Sequence, residues 1–298
     1  MSTHGRYPFG SIPILARSDD TAASKRWRRL VTARLAEMER LSPAAGSVSG
    51  SFWDGRADEY AARMRLVDID RDPFLRQLRR LTQASSTAID VGAGTGRFAL
   101  ALAAGIGHVT AVDPSTAMLT VLQRDAHALG TTNVSTVLGT WEQARTARAD
   151  VAFSAFVLTL VPDARPFLLK LEAAARDHVL LYLGAYCADA VTDPLWRHFH
   201  GASRTPGPSY LDALAVLREL GIDSRVTVVE IANHRRFATI EEAVDHYREG
   251  LLLPDTPELR VELAELLRSW LMGRAGSLRS PLRAVPAAIV QWRPGRAS

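Results

Sequence analysis

The densest chemical signal in this chain is Asp90-Val91-Gly92-Ala93-Gly94-Thr95-Gly96-Arg97, which ends the β-like run beginning at Thr87. Glycines at alternate positions permit positive φ angles and let a ligand reach the backbone amides with no side chain in the way. A helix beginning near Gly96 adds unpaired N–H groups aimed into the same turn. Turns that cradle a dinucleotide usually read G-x-G-x-x-G, whereas this one reads G-x-G-x-G with an acid two residues ahead, so a pyrophosphate ligand is not indicated. Asp90 closes an otherwise apolar strand, where an unpaired carboxylate is costly to bury, and it calls for a polar or cationic partner. Asp113 closes the apolar run Val109 to Val112, about 20 residues beyond the loop, where an acid can accept both hydroxyls of a ribose. Further along, Trp196, His198, His200 and Tyr210 cluster in sequence. A histidine can take a proton from an O–H or N–H group near neutral pH, and aromatic rings can wall an apolar substrate; surface or packing roles are the alternative. His198 and His200 without further histidine or carboxylate spacing make a poor metal site, and no metal is expected.

These residues need a framework that places strand ends side by side. From Thr87 onward, β-like runs alternate with helical segments, which implies βαβ units and a mainly parallel sheet. The pattern predicts strands near 87–91, 108–112, 133–138, 150–156 and 178–183, with helices near 96–104, 115–129 and 164–176 between them. A loop-rich stretch from Ala185 to Ser209 precedes a helix near 210–220 that stops at Gly221. Two more strands, at 225–232 and 286–293, are separated by helices near 239–250 and 257–272, too much chain for a hairpin and therefore an insertion or lid. Upstream, Trp27, Leu30, Val31, Leu35 and Met38 recur at helical spacing from about Thr21 to Leu41, with Lys25, Arg26, Arg28, Arg29 and Arg40 largely on the other side. That helix either packs on the core with a solvated basic face or forms an RNA- or membrane-facing arm, and Asp19, Asp20, Glu37 and Glu39 dilute its charge. Ser42 to Gly50 reads as a linker.

Taken in order from about Ser51 to Gly184, the chain resembles the class I S-adenosylmethionine (SAM)-dependent methyltransferases. The resemblance implies a doubly wound, mainly parallel seven-stranded α/β sheet of the Rossmann-like methyltransferase type, with N-terminal helices and a helical insertion before the last strand. It implies SAM as methyl donor, held by Asp90, Gly92, Ala93, Gly94, Gly96 and Asp113, with Pro114 and Met118 against the adenine; ordinary core packing is the other role open to Met118. After the third strand comes Gly139-Thr140-Trp141-Glu142, and Thr140 stands where relatives often carry an acid for the adenine amino group. Glu142 could accept that contact and Trp141 could stack on the base, or the two could begin and pack a helix. Ala149 to Asp163 resembles the fourth strand and turn that line the methionine end of the cofactor, which implies Ser154. Ser154-Ala155-Phe156-Val157 replaces the Asn/Asp-Pro-Pro-aromatic tetrapeptide of enzymes acting on exocyclic amino groups, which argues against that subclass. Phe52-Trp53-Asp54-Gly55-Arg56-Ala57-Asp58-Glu59-Tyr60 resembles the W-D-x-x-A-x-x-Y segment of many small-molecule methyltransferases, a helix over the cofactor cleft, so Trp53 and Tyr60 are candidate lid residues.

The division expected is an N-terminal arm and helix (1–50) and a SAM-binding domain (51–298), comprising a cap segment (51–82), a core (83–184), a substrate-side region (185–221) and a helical insertion (239–280). A content of 47% hydrophobic and 23% charged residues agrees with a chain that buries a substantial interior. Its longest apolar stretch, Val151 to Val161, is interrupted by Ser154 and Thr159 and is too short to cross a bilayer. No membrane partner is expected, and a soluble, cytoplasmic protein is. Cys187 is the lone cysteine, so no disulfide or thiolate metal site is indicated. A net charge of +4 is small for 298 residues and selects no partner. The function expected is methyl transfer from SAM to a small-molecule acceptor by in-line displacement. RNA methylation is the alternative within the enzymes, and a non-catalytic SAM-binding regulatory protein the alternative outside them.

Overall fold

The computed structural model describes residues 21–41, 53, 55–65, 68–185, 191–233, 235–274 and 276–295. The leading segment, the linker at 42–50, Phe52, Asp54 and Cys187 lie outside the described residues. Seven strands form one sheet: β1 (Thr87–Val91), β2 (His108–Asp113), β3 (Val134–Leu138), β4 (Ala149–Ala155), β5 (Ala175–Gly184), β6 (Arg225–Ala232) and β7 (Ala284–Trp292). Their spatial order is β3-β2-β1-β4-β5-β7-β6. The first five pair in parallel, and β7 is inserted antiparallel between β5 and β6. The seven predicted strands therefore all form, with ends shifted by up to three residues.

The helices are α1 (Ala22–Leu41), α2 (Ala57–Arg65), α3 (Pro73–Leu81), α4 (Arg97–Ala103), α5 (Thr116–Ala128), α6 (Ala164–Ala174), α7 (Asp193–His200), α8 (Tyr210–Glu219), α9 (Ile240–Gly250) and α10 (Pro257–Trp270). Successive strand residues face opposite sides of a sheet, and both sides here are apolar. Ile89, Val91, Ala152, Val179, Leu181 and Leu183 join α1, α6 and α8 in one cluster. Ala88, Val151, Phe153, Leu180 and Tyr182 join α3 and α4 in the other. Local caps set where helices begin: the Asp72 carboxylate accepts from the Phe74 amide at 2.9 Å, with Pro73 supplying a helical φ at the first position of α3.

α1 resolves its two readings toward packing. Trp27 and Val31 are fully buried, and the Trp27 indole donates to the Val161 carbonyl at 2.8 Å. On its basic side Arg26 pairs with Asp212 and Arg28 with Asp163, so part of the positive stripe is answered within the protein. One predicted loop is corrected: inside the 185–209 stretch, Asp193–His200 is helical, with Pro194 in its first turn.

The connection between β6 and β7 matters most for function. Ala232 pairs with Ala284, and Ala287 pairs with Gly184 at the end of β5. The chain between the last two strands thus leaves and returns at the edge of the sheet where the parallel strands end. Its helices α9 and α10 pack with α7 around Trp196, Phe237, Tyr247, Leu263 and Leu267, a cluster separate from the two sheet faces. No helix among the described residues is long and apolar enough to cross a membrane.

Candidate functional site

Parallel strands deliver their carboxyl ends to one edge, and ligands of open α/β sheets bind in the crevice outside that edge. The turn after β1 is anchored there by the Gly92 and Ala93 amides, which donate to the Val112 carbonyl at 2.8 and 3.0 Å. The three glycines divide their tasks. A methyl group on Gly92 would run into the Val157 side chain, and one on Gly96 would lie 2.6 Å from Leu122. Those two positions are glycine because the protein itself fills the space. A methyl on Gly94 would meet only the Met118 sulfur, at 4.0 Å, although its φ of +55° still disfavours a side chain. Only Gly94 among the three therefore leaves room for a ligand against the turn.

Two carboxylates flank that opening. Asp113, at the tip of β2, accepts from the Gly94 amide at 2.8 Å and from the Ser115 amide at 2.9 Å. Burial pushes its pKa up, and those two amides partly offset the rise. Asp90, at the tip of β1, is 2% exposed. Burial holds its carboxyl well above the ordinary range, Asp113 pushes in the same direction, and the Ala99 amide in the first turn of α4 opposes both. No cationic side chain pairs with Asp90 among the described residues. Two neighbouring carboxyls under this strain favour a cation between or beside them.

Over this opening sits α2. Trp53 and Tyr60 meet edge to face at 5.6 Å and pack with Met118 and Val121 of α5. Burial raises the Tyr60 pKa; Arg97 and Arg63 act on it to lower it, and Asp113 and Asp90 to raise it, so the ring stands between the acidic pair and a basic group. Met118 is buried in this small cluster, and Pro114 is exposed beside it. Behind the loop, Arg97 binds the buried Asp72 at 2.7 Å, tying the start of α4 to the cap of α3.

Several expected contacts fall elsewhere. Trp141 is 4% exposed, its N–H donates to the Phe167 carbonyl at 3.2 Å, and the Lys170 ammonium stands 4.6 Å from its ring. It is a core residue beneath α6, the packing role that the sequence left open beside stacking on adenine. Thr140 remains exposed after β3, and its carbonyl accepts from the Gln143 and Ala144 amides. Ser154 is 1% exposed and donates to the Val91 carbonyl at 2.8 Å, a latch between β4 and β1. His198 and His200 are taken up by the insertion: His198 meets Glu262 at 2.8 Å, and His200 meets the Leu251 carbonyl at 2.8 Å while packing on Trp196. Tyr210 packs instead on the sheet face covered by α1 and α6. These three candidates for a base are therefore not brought together. No group of three or more potential metal ligands forms among the described residues.

Phe156 escaped the sequence reading. Directly after β4 it adopts φ of 60°, is 39% exposed and leans on Tyr182 with ring centroids 4.6 Å apart. Such a conformation in a bulky residue costs about 1–3 kcal/mol and tends to persist at ligand-contacting positions. Side-chain type gives no signal of it.

Comparison with known proteins agrees with this geometry. Residues 88–177 match a family described as a methyltransferase domain. No curated protein sequence matches the chain significantly. Among solved structures, the YcgJ protein of Bacillus subtilis superposes with a TM-score of 0.52 at 16% identity, covering 75% of this chain and 98% of its own. A candidate methyltransferase of Bacillus halodurans does so with 0.52 at 17% identity, covering 76% and 98%. At these identities the likeness is one of fold.

Proposed function

We propose that this chain, whose residues 88–177 match a methyltransferase domain, is a class I SAM-dependent methyltransferase that methylates a small-molecule acceptor presented at the carboxyl edge of the sheet. The observation that carries this reading is the pair Asp90 and Asp113 flanking the one glycine of the turn that faces open space. The residues present fit the cofactor. Asp90 supplies a buried anion to the aminoacyl ammonium, the Gly94 side of the turn admits close approach, and Asp113 has lone pairs left for the ribose hydroxyls after serving two amides. Pro114 and Met118 supply the adenine wall.

SAM brings an already activated methyl group, so the protein's part is alignment and exclusion of water. Tyr60 of α2 and Trp53 just before it are placed to supply the exclusion, packing together against Met118, and Phe156 offers an exposed aromatic face at the end of β4 on which an acceptor can rest. A dedicated base is required only for acceptors that must lose a proton during attack. Two features favour a small molecule over RNA: the insertion leaves and returns at the strand-end edge, and the basic side of α1 is partly paired with Asp212 and Asp163.

The test is calorimetric titration with S-adenosylhomocysteine, followed by transfer of labelled methyl from SAM to a small-molecule panel and, separately, to RNA. Specific binding with transfer to a small molecule supports the reading. Transfer to RNA with steep salt dependence would replace it, and binding without transfer to any acceptor would point to a regulatory protein.

A further inference from the structure

A second charged cluster lies beside the cofactor cleft, where α2 meets the insertion. Arg63 stands one turn beyond Tyr60, its guanidinium 5.7 Å from that ring. Arg235 follows β6 at the strand-end edge and lies over Phe237 at 5.1 Å; the same ring contacts His246 of α9 at 5.4 Å. Neither arginine is satisfied by a hydrogen-bonded carboxylate. Arg63 reaches Glu59 and Glu249 only at 3.9 Å, and Glu249 is bound more closely by Arg56, at 3.2 Å. The Arg235 Nε is buried with no hydrogen-bond partner, and no carboxylate lies within ion-pair distance of its guanidinium among the described residues. Glu242, the nearest acid on α9 to act on Arg235, accepts instead from the Ala238 amide at 2.7 Å.

The groups oppose one another electrostatically. Burial and then Arg63 pull the Arg235 pKa down, with Glu242, Tyr247 and Glu59 opposing. Burial, then Arg235, then Arg63 pull His246 down to about 3, so its imidazole is neutral and has one N–H to donate. Two guanidinium groups with free donors and a neutral imidazole, converging from α2, the β6–α9 connection and α9, make a site for an anion, and guanidinium groups suit the planar oxygens of carboxylate and phosphate.

We propose that Arg63, Arg235 and His246 form an acceptor subsite that binds an anionic group, carboxylate or phosphate, of the molecule to be methylated. This rests on the methyltransferase reading, since it is the adjacent donor cleft that makes the bound anion an acceptor. Tyr60 then separates the two charged ends of the site, with the acidic pair below it and the basic cluster beyond.

The test uses the full chain saturated with S-adenosylhomocysteine, titrated in parallel with benzoate and with inorganic phosphate. Saturable binding of either, weakened at least tenfold by Arg235→Gln and by Arg63→Gln, supports the subsite, and the preferred titrant identifies the anion class. Homocysteine-cofactor affinity is measured on each variant, and its retention shows that the variant is folded. Binding of neither anion overturns the proposal. So does binding that survives both substitutions but is lost in Arg279→Ala, which would move the anion to the neighbouring surface pocket of Arg236, Arg279 and Arg283. Failure of the unmodified chain to bind S-adenosylhomocysteine at all would instead overturn the donor-site reading, and the two failures are read from separate titrations.

Discussion

Asp90→Asn should make the protein more stable and a poorer binder of SAM. Burial and then Asp113 push the Asp90 pKa up, with the Ala99 amide acting the other way. A group whose pKa is raised on folding binds more protons in the folded chain than in the unfolded one. Its contribution to stability is therefore complete below the unfolded value of 3.8 and is lost as the pH rises toward the folded value. Each unit of that rise costs about 1.4 kcal/mol at a pH above both values. Asparagine fills the same space and carries no proton to lose. Removing strain of this kind commonly yields about 0.5–2 kcal/mol, equivalent to about 1–8 °C in Tm at 2–4 °C per kcal/mol for a chain of this size class. The cofactor ammonium, conversely, loses the anionic partner proposed for it. Breaking a buried charge pair from one side costs about 2–5 kcal/mol, a weakening of thirtyfold or more.

Thermal unfolding of both proteins from pH 4 to pH 8, with calorimetric SAM titration at pH 7.5, measures the two halves together. The stability gap in favour of the variant should widen as the pH rises from 4. A gap that is flat with pH, a variant less stable than the parent, or an unchanged SAM affinity would each refute the assignment of Asp90 as a strained functional carboxyl.

The same electrostatics predict that SAM binding releases protons, because a cation beside Asp90 and Asp113 favours their ionised forms; titrations in buffers of different ionisation enthalpy at pH 6 should give different apparent heats, and identical heats would count against it. Gly94→Ala should abolish SAM binding at a folding cost of about 1 kcal/mol from its positive φ, whereas Gly96→Ala, whose methyl meets Leu122, should lower Tm more than it selectively lowers affinity. Asp113→Ala should weaken SAM by tenfold or more, since it removes the proposed ribose acceptor and the brace on the Gly94 amide together; unchanged affinity in calorimetry rejects that role. Trp141→Ala should cost about 3–5 kcal/mol of stability, as for other buried aromatic truncations, while the folded fraction binds SAM normally, and a selective loss of affinity would restore Trp141 to the site.

The sheet was legible because its central strands are buried on both faces and its glycine turn is local: apolar runs ending in Asp90 and Asp113 report position without needing distant contacts. The surroundings of Ser154 and Trp141 were not legible in the sequence for one shared reason. Each stands in the right place along the chain, but whether a side chain points to the cleft or into the core is decided by partners far away in sequence, the Val91 carbonyl for one and the Phe167 carbonyl for the other. The helix at Asp193–His200 was hidden by its short length and by Pro194, which reads as a breaker until it is seen to occupy the first turn, where proline is tolerated. Arg63, Arg235 and His246 come from segments separated by more than a hundred residues in one case, and arginines abound in this chain, so no local spacing marks them.

That contrast bears on how the enzyme divides its tasks. The proposed donor half uses consecutive strand tips, so its residues recur at intervals set by the βαβ repeat and are marked by spacing within the sequence. The proposed acceptor half joins Arg63 of α2 to the 233–283 insertion, which leaves and returns at the strand-end edge and whose Glu249 lies 3.9 Å from Arg63. Its chemistry is assembled from contacts between elements, not from spacing within one. Substitutions in the insertion should therefore alter acceptor choice while leaving donor affinity in place, and substitutions at the strand tips should do the reverse. Chimeras that exchange only residues 233–283 with a relative of the same fold test this division: donor affinity that falls with the exchange would mean that the insertion also holds the cofactor.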